Sequence, residues 1–369
     1  MLSKKLYSFQ LDRMKQLLGK PVRIIVFLFV MTRLISLLCL FFALSCSDNK
    51  EARVQQFLLK GNLATKQRSF DQAAYYFGEA IRVEPCYADA WNNLGTVYFE
   101  QGRFELAMEK YTKAIECQPG FLNALLNRAN TAYELKEYYK AIEDLDKVAA
   151  TKPDTALVYF TKGLVFTKMR KFDNALDAFA KSIQIEPTNI DYKVNHAIVH
   201  YYRKDFDLAK LELEKLAEVK KDEPNIYNTL SLIETEKGNY QEALKMVNKA
   251  IELDPKQSYF LNNRGFVYLS LKEMEKAEAD INESISSDPF NAWAYRNKGV
   301  FYLMKGDYPS AERLLKQSLD MDNFVDKIYF YLGIAYLKNG RTALACTSFK
   351  KSEELGDKMM TADLVKACK

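Results

Sequence analysis

Small and bulky apolar residues recur along the chain with a constant period of 34 positions. Alanine occupies the same place in nine successive units, at positions 73, 107, 141, 175, 209, 243, 277, 311 and 345. A bulky, mostly apolar residue stands four positions after each alanine, and a small residue, usually glycine, stands twelve positions before it. A period kept without insertion indicates that one structural unit is stacked repeatedly, with a small side chain buried in the same tight place each time.

Within each unit the apolar positions divide into two helical stretches. In the second unit, Leu94 and Tyr98 are four positions apart, as are Ala107 and Tyr111. This spacing places each pair on one face of a helix. Gly102 stands between the two stretches, where the end of the first helix favours a left-handed residue. The sequence therefore predicts a helix–turn–helix unit.

The turn place of the other units is filled in two ways. Glycine occupies it at positions 238, 306 and 340, and a basic residue occupies it in five units: Arg68, Lys136, Arg170, Lys204 and Lys272. We expect these basic residues to adopt the same left-handed turn with modest strain, while their charge interacts favourably with the helix C-terminus.

The recurring residues resemble the tetratricopeptide repeat, whose pattern is Trp, Leu-Gly, Tyr, Ala, Phe, Ala and Pro over 34 residues. The second unit matches every place, with Tyr111 where the pattern has phenylalanine. The resemblance implies an all-α fold, a right-handed superhelical solenoid of helix–turn–helix units. Nine repeats are expected, at 54–87, 88–121, 122–155, 156–189, 190–223, 224–257, 258–291, 292–325 and 326–357.

The regions outside the repeats are short. Because the phase of the repeat never shifts, we expect no domain boundary between residues 54 and 357. Residues 46–53 form a short tether before the first repeat. Residues 358–369 are predicted to form a C-terminal capping helix that covers the last repeat with Met359, Met360, Leu364 and Val365.

Residues 1–45 are predicted to be an N-terminal leader. A basic start and an apolar run over 34–45 precede Cys46, an arrangement that resembles a lipoprotein signal of the Bacteroides–Flavobacterium group. Cleavage before Cys46 would leave that cysteine lipid-modified. The chain would then be anchored to the outer membrane of a bacterial cell envelope, on the periplasmic face or the cell surface.

Other interpretations of the leader stay open. The true start is either Met1 or Met31, since the segment from Met31 makes a complete short signal by itself. Residues 22–45 are long enough for an uncleaved transmembrane helix, although Arg33 in its middle makes insertion costly. A cleaved secretory signal is the third interpretation.

The net charge of the whole chain differs from that of the part that follows the leader. The formal net charge is +5, but residues 1–45 hold seven basic residues and one acidic residue. The remainder carries 46 basic and 47 acidic residues, a net charge of −1. A balanced repeat region gives no electrostatic reason to bind nucleic acid.

Four cysteines remain outside the leader and the lipid site. Cys86 and Cys117 stand near the closing turns of adjacent repeats, and Cys346 and Cys368 would meet if the C-terminal segment folds back. Each pair is either a disulfide or two small buried apolar residues.

No constellation of residues indicates catalysis. The two histidines, His196 and His200, have a metal-compatible spacing of four, but they occupy repeat places that pack between helices. Residue 197 is alanine, so the glutamate of a zinc-protease motif is missing. We therefore expect no metal, no cofactor and no enzymatic activity.

A ladder of polar residues keeps the repeat period on the first helices, which line the concave groove of such solenoids. An amide offers donors and an acceptor together, so a file of amides suits the backbone of an extended peptide. Alternatively, asparagine is simply common at this place in the family. The ladder comprises Asn93, Asn127, Asn195, Asn263 and Asn297, with Thr161 and Thr229 between them.

Further groove places carry aromatic and arginine side chains, which are typical binding anchors. They are Tyr133, Phe160, Tyr201, Tyr202, Trp293 and Arg296. The expected function is a protein–protein interaction scaffold that binds an extended peptide or protein segment in the groove and assists assembly of a membrane or secretion complex. The alternative is a surface carbohydrate-binding lipoprotein, with Trp293 and the tyrosines as stacking platforms.

Overall fold

The computed structural model describes residues 50–357 and 359–368, and every regular element in that part of the chain is an α-helix. The helices pack in consecutive pairs, one pair for each expected repeat, followed by one short helix. They are α1 (50–66), α2 (Phe70–Val83), α3 (Ala88–Glu100), α4 (Phe104–Cys117), α5 (Leu122–Glu134), α6 (Tyr138–Thr151), α7 (Ala156–Lys168), α8 (Phe172–Ile185), α9 (Ile190–Tyr202), α10 (Phe206–Val219), α11 (Pro224–Glu236), α12 (Tyr240–Leu253), α13 (Ser258–Ser270), α14 (Met274–Ser287), α15 (Ala292–Lys305), α16 (Tyr308–Met321), α17 (Ile328–Lys338), α18 (Thr342–Glu354) and α19 (Ala362–Ala367).

The expected leader and the expected lipid site, Cys46, lie outside the described residues. None of the described helices combines the length and the apolar character that a membrane span requires.

The small residues of the repeat pattern are where two helices approach most closely. All nine alanines of the 34-residue period have no exposed surface. In six repeats the first helix has glycine at the small place, and this glycine faces the bulky residue of the second helix: a Cβ atom added to Gly163 would lie 2.6 Å from Cε1 of Phe179. Small residues therefore recur every 34 positions because the two helices of each repeat pack closely at these places.

The predicted left-handed turns are confirmed. All five basic turn residues have positive φ angles, between 55° for Arg68 and 70° for Lys204. The turn glycines have φ angles of 71° to 81°. Lys327 is a further left-handed residue, with φ of 58°, at a place where the repeat pattern predicts none.

The described residues divide into two compact units, one ending at residue 148 and one beginning at residue 149. In the first unit, Arg128 donates two hydrogen bonds to the buried carboxylate of Asp144, at 2.7 and 2.8 Å. A disulfide joins Cys86 to Cys117 and so connects the closing turns of the first two repeats.

The second unit contains contacts between residues about 150 positions apart. The Lys168 ammonium lies 3.2 Å from a carboxylate oxygen of Asp322, and the Arg170 guanidinium donates to the carbonyl of Phe324 at 3.0 Å. The Lys204 ammonium donates to the carbonyl of Gly356 at 2.7 Å. The turns of repeats 4 and 5 are therefore held against the chain around repeats 8 and 9.

Two departures from the expected pattern occur near the C-terminus. Helix α17 begins at Ile328, two residues later than the repeat period places it, and leaves residues 322–327 as an irregular segment that we call the pocket loop. The final helix spans six residues, none of them buried, and Val365 is 40% exposed. The disulfide between Cys346 and Cys368 attaches this segment to α18.

Candidate functional site

The amides of the asparagine ladder mostly bond to neighbouring repeats. In four cases the side-chain nitrogen donates to a side-chain oxygen on the first helix of the preceding repeat. The pairs are Asn93 with Asn62 (3.1 Å), Asn127 with Asn92 (2.9 Å), Asn263 with Asn228 (2.7 Å) and Asn297 with Asn262 (2.7 Å). Each bond fixes two consecutive first helices to one another, so the ladder braces the stack.

Three of the predicted groove residues are buried in the packing: Asn297, Thr161 and Thr229. Asn297 has no exposed surface, and its oxygen accepts two hydrogen bonds from Arg296. The Thr229 hydroxyl donates to the carbonyl of Asn225 at 2.8 Å. Asn297 and Thr229 therefore hold helices in place, because their polar groups already have partners inside the protein.

Phe160 belongs to a cluster of rings. Its centroid lies 5.7 Å from that of Phe179 and 4.9 Å from that of Tyr192, so it packs against the second helix of its own repeat and the next repeat. Asn195 donates to the carbonyl of Asp191, one turn earlier in the same helix, at 2.8 Å. Both residues support local structure.

Three predicted residues, Asn93, Asn127 and Tyr133, belong to the first unit. Asn93 and Asn127 are half-buried and bonded as described above. The Tyr133 ring packs against Tyr138, with centroids 6.1 Å apart.

Five of the predicted residues come together in the second unit around a pocket of about 230 Å³, which we call the inner pocket: Tyr201, Tyr202, Asn263, Trp293 and Arg296. The first helices of repeats 5 to 8 supply most of its wall, and the pocket loop contributes Asp326 and Lys327. Further wall residues include Asn225, Asn228, Tyr259 and Phe266. The pocket therefore combines aromatic faces with amide and hydroxyl groups.

The pocket loop inserts an aromatic side chain beside the inner pocket. Phe324 is only 5% exposed, and its ring lies 5.0 Å from the ring of Tyr202 and 6.5 Å from that of Trp293. The charged groups of Lys168 and Arg170 lie over the same ring, at 5.2 and 4.6 Å from its centroid. Tyr202, Trp293, Lys168 and Arg170 thus surround the Phe324 ring, and we call these four residues the aromatic–cation cage. A cation over an aromatic face is attracted by the quadrupole of the ring.

The cations in the wall of the inner pocket have partners. Arg296 donates to the carbonyl of Asp326 at 3.1 Å and lies over the ring of Phe266, 5.0 Å from its centroid. The Lys327 ammonium lies 2.5 Å from a carboxylate oxygen of Glu236. The positive and negative charges of the wall therefore nearly cancel. A ligand would gain more binding free energy from shape complementarity and hydrogen bonds than from net charge.

Burial changes the ionisation of the pocket. It raises the pKa of Tyr202 to about 12 and that of Tyr201 well above its usual value, so both hydroxyl groups keep their protons at neutral pH. Burial also raises the pKa of the Asp326 carboxyl. Perturbed groups in a cleft are typical of functional sites, although structural networks produce them as well.

Sequence reasoning did not identify the pocket loop or the aromatic–cation cage. Arg170 was recognised only as a turn residue, and neither Phe324 nor Asp326 falls on a groove place of the repeat. The one signal was Asn323, which stands where six other repeats have proline. An altered closing turn there is consistent with the late start of α17.

A larger depression of about 790 Å³ lies on the surface along α16, lined mainly by charged side chains such as Glu312, Arg313 and Arg341. Glu312 already pairs with Arg341 at 2.6 Å. None of the side chains that line this depression is aromatic, in contrast to the wall of the inner pocket.

Comparison with known proteins gives a consistent result. Three family models, each described as a tetratricopeptide repeat, match the chain at 58–120 and 302–358, at 247–279 and 281–313, and at 156–189 and 224–257. No curated protein sequence matches the chain significantly.

Solved structures resemble the fold at low sequence identity. The APC/C hetero-tetramer Cut9–Hcn1 is 18% identical with a TM-score of 0.55, over 86% of this chain and 76% of that one. A tetratricopeptide repeat protein from Parabacteroides merdae is 20% identical with a TM-score of 0.46, over 77% of this chain and 99% of that one. Pseudomonas aeruginosa pilF is 20% identical with a TM-score of 0.48, over 56% and 94%. The first of these likenesses supports the helical-repeat fold.

Proposed function

Because the chain belongs to the tetratricopeptide-repeat family, we propose that it is a protein–protein interaction scaffold without catalytic activity. A segment of the partner protein places an anchoring side chain in the inner pocket. The observation that carries this proposal is the pocket itself, where first helices of four successive repeats converge with aromatic, amide and arginine side chains.

The size of the inner pocket refines the kind of contact. At about 230 Å³ it is smaller than the roughly 300–1,000 Å³ typical of pockets that enclose a small-molecule ligand. It suits one large side chain better than a length of extended backbone. Four of the five ladder amides donate to the preceding repeat and Asn195 donates within α9, so we assign the main affinity to this anchor and to the surface around it.

An aromatic or amphipathic anchor fits the chemistry of the wall. Tyr259 is 45% exposed and presents part of its ring at the pocket, whereas Tyr201 and Tyr202 lie deeper with protonated hydroxyl groups. Aromatic rings in such a wall favour offset or edge-to-face contact with another ring. Phe324 in its aromatic–cation cage, directly beside the pocket, exemplifies the side chain that this surface accommodates.

A peptide-display selection against the purified protein tests the proposal. Selected peptides are expected to share an aromatic residue, and the Tyr259→Ala variant is expected to bind them at least tenfold more weakly. Tyr75→Ala is the matched control, because Tyr75 is 61% exposed and lies in the first unit. Equal binding by wild type and Tyr259→Ala would move the interaction away from the inner pocket.

A carbohydrate ligand is less consistent with the geometry. Sugar stacking needs an open aromatic face, and the Lys168 ammonium lies 5.5 Å from the centroid of the Trp293 ring. A glycan array probed with the same protein separates the two ligand classes.

The proposed location is the bacterial cell envelope, with lipid on Cys46 and the partner among proteins of a membrane or secretion complex. The two disulfides support an oxidising compartment. Labelling of cells with a radioactive fatty acid is expected to mark the wild-type protein and the Cys39→Ser control but not a Cys46→Ser variant. Label on Cys46→Ser would refute lipidation at this cysteine.

A further inference from the structure

The fifth repeat brings two histidines and a carboxylate together. His196 and His200 are one turn apart on α9, and Glu212 lies opposite them on α10. His196 Nδ1 is 3.0 Å from Glu212 Oε2, and His200 Nε2 is 3.7 Å from Glu212 Oε1. One ligand atom from each of the three residues lies within 4.8 Å of the other two.

The same two repeat places hold a different pair elsewhere. Arg128 bonds to Asp144 in the third repeat, and Arg264 bonds to Asp280 in the seventh, each across sixteen positions. His196 and Glu212 stand at the equivalent places. The fifth repeat thus exchanges an arginine, which does not bind metal, for an imidazole, which is a common metal ligand.

The second histidine has no hydrogen bond that explains its burial. His200 is only 5% exposed, and its Nδ1 atom has no hydrogen-bond partner. The nearest carboxylate oxygen, on Asp205, is 3.6 Å away, beyond hydrogen-bond distance. In metal sites a histidine that binds through one nitrogen commonly presents the other to a carboxylate, and Asp205 stands in that position.

We propose that His196, His200 and Glu212 bind one divalent transition-metal ion, with zinc as the best match to two imidazoles and one carboxylate. Ligand atoms about 2.1 Å from a tetrahedral zinc ion are about 3.4 Å apart. The separations of 3.0 and 3.7 Å, to the two different oxygens of Glu212, lie on either side of that value. The three ligand atoms are spread over up to 4.8 Å, so the side chains must draw together to bind one ion.

The surroundings allow entry but moderate the affinity. His196 and Glu212 open onto a surface cleft of about 430 Å³, which leaves a fourth position for water or another ligand. Lys193 and Lys215 line the same cleft, and their positive charges oppose binding of a cation. Bound metal would join α9 to α10 where other repeats use an arginine–aspartate pair.

Calorimetric titration of the full chain in detergent with zinc chloride tests the proposal. The wild type is expected to bind one zinc ion, and Co²⁺ in its place is expected to give the visible absorption of a tetrahedral complex. His196→Gln and Glu212→Gln are expected to weaken zinc binding at least tenfold. Both residues are partly exposed, so neither change empties the core.

Asp280→Asn is the matched control, because it breaks the equivalent pair of the seventh repeat without removing a proposed ligand. It is expected to keep wild-type zinc affinity. Absence of zinc binding by the wild type would overturn the proposal and leave the His196–Glu212 contact as a hydrogen-bonded brace. Equal binding by the wild type and both ligand variants would overturn it as well.

Discussion

The close approach of the two helices within a repeat can be tested at Gly163. Its substitution by alanine adds one Cβ atom, which would lie 2.6 to 2.7 Å from three ring carbons of Phe179. Ordinary contacts of a Cβ atom are 3.4 to 4 Å. Phe179 has no exposed surface, so its ring cannot swing away into solvent.

The expected magnitude has two opposing parts. Overpacking of a dense core typically costs about 1–3 kcal/mol, and three simultaneous short contacts place Gly163→Ala at the upper end. Alanine favours the helix over glycine by about 1 kcal/mol, which offsets part of this cost. The net expectation is a loss of about 2 kcal/mol in the free energy of unfolding.

The other repeats supply a compensating change. In the third and fifth repeats the equivalent places hold Ala129 with Leu145 and Ala197 with Leu213, so alanine in the first helix accompanies leucine in the second. Phe179→Leu in the Gly163→Ala background recreates that combination. The double variant is therefore expected to be more stable than the sum of the two single effects predicts, by about 1 kcal/mol or more.

Urea unfolding of the four proteins, combined with hydrogen exchange of the amides in α7 and α8, measures these effects. Local exchange is needed because a repeat array does not always unfold in one step. Gly78→Ala is the control, since nothing lies within 4 Å of its added Cβ atom and the helix should gain up to about 1 kcal/mol. Wild-type stability of Gly163→Ala would refute size complementarity as the cause of the glycine period.

Three further predictions concern contacts outside the repeat pattern. Phe324→Ala is expected to destabilise the second unit by about 3 kcal/mol, because it empties the aromatic–cation cage; an unchanged melting temperature would contradict that role. Replacement of both Cys86 and Cys117 by serine opens a loop of 31 residues and is expected to cost about 3–4 kcal/mol in urea unfolding under oxidising conditions; reductant should abolish this difference, because Cys346–Cys368 is reduced in both proteins alike. Burial raises the pKa of Asp326 above its unfolded value of about 3.9, so the folded state binds more protons between the two values and stability falls as pH rises through that interval. Asp326→Asn should therefore melt at a higher temperature than the wild type at pH 7 but not below about pH 4. Equal melting temperatures at both pH values would show that ionisation of this carboxyl does not lower the stability of the folded state.

Local features of the fold were predictable because neighbouring residues determine them. The left-handed turns at Arg68 and Lys272 follow from the end of a helix two or three residues earlier, whatever lies elsewhere in the chain. The buried alanines follow in the same way from the packing of two adjacent helices. Such contacts repeat every 34 residues and therefore leave a period in the sequence.

The candidate site was only partly predictable because its long-range contacts do not repeat. The period located the amide of Asn263, whose bond to Asn228 recurs at other ladder positions. Phe324 reaches Arg170 across 154 positions of the chain, a contact that no neighbouring residue encodes. The pairing of the four cysteines was open for the same reason, since sequence spacing alone does not bring sulfur atoms together.

The long-range contacts of Lys168, Arg170 and Lys204 change how the second unit should respond to force and heat. An open array of repeats can lose its terminal members one by one, because each repeat interacts only with its neighbours. Here the fourth and fifth repeats also contact the chain near the eighth and ninth repeats. The beginning and the end of the second unit are therefore joined directly. Peeling the last two repeats must break contacts with the fourth and fifth repeats at the same time. The second unit should consequently unfold under force in a single step, with the inner pocket protected until these contacts break.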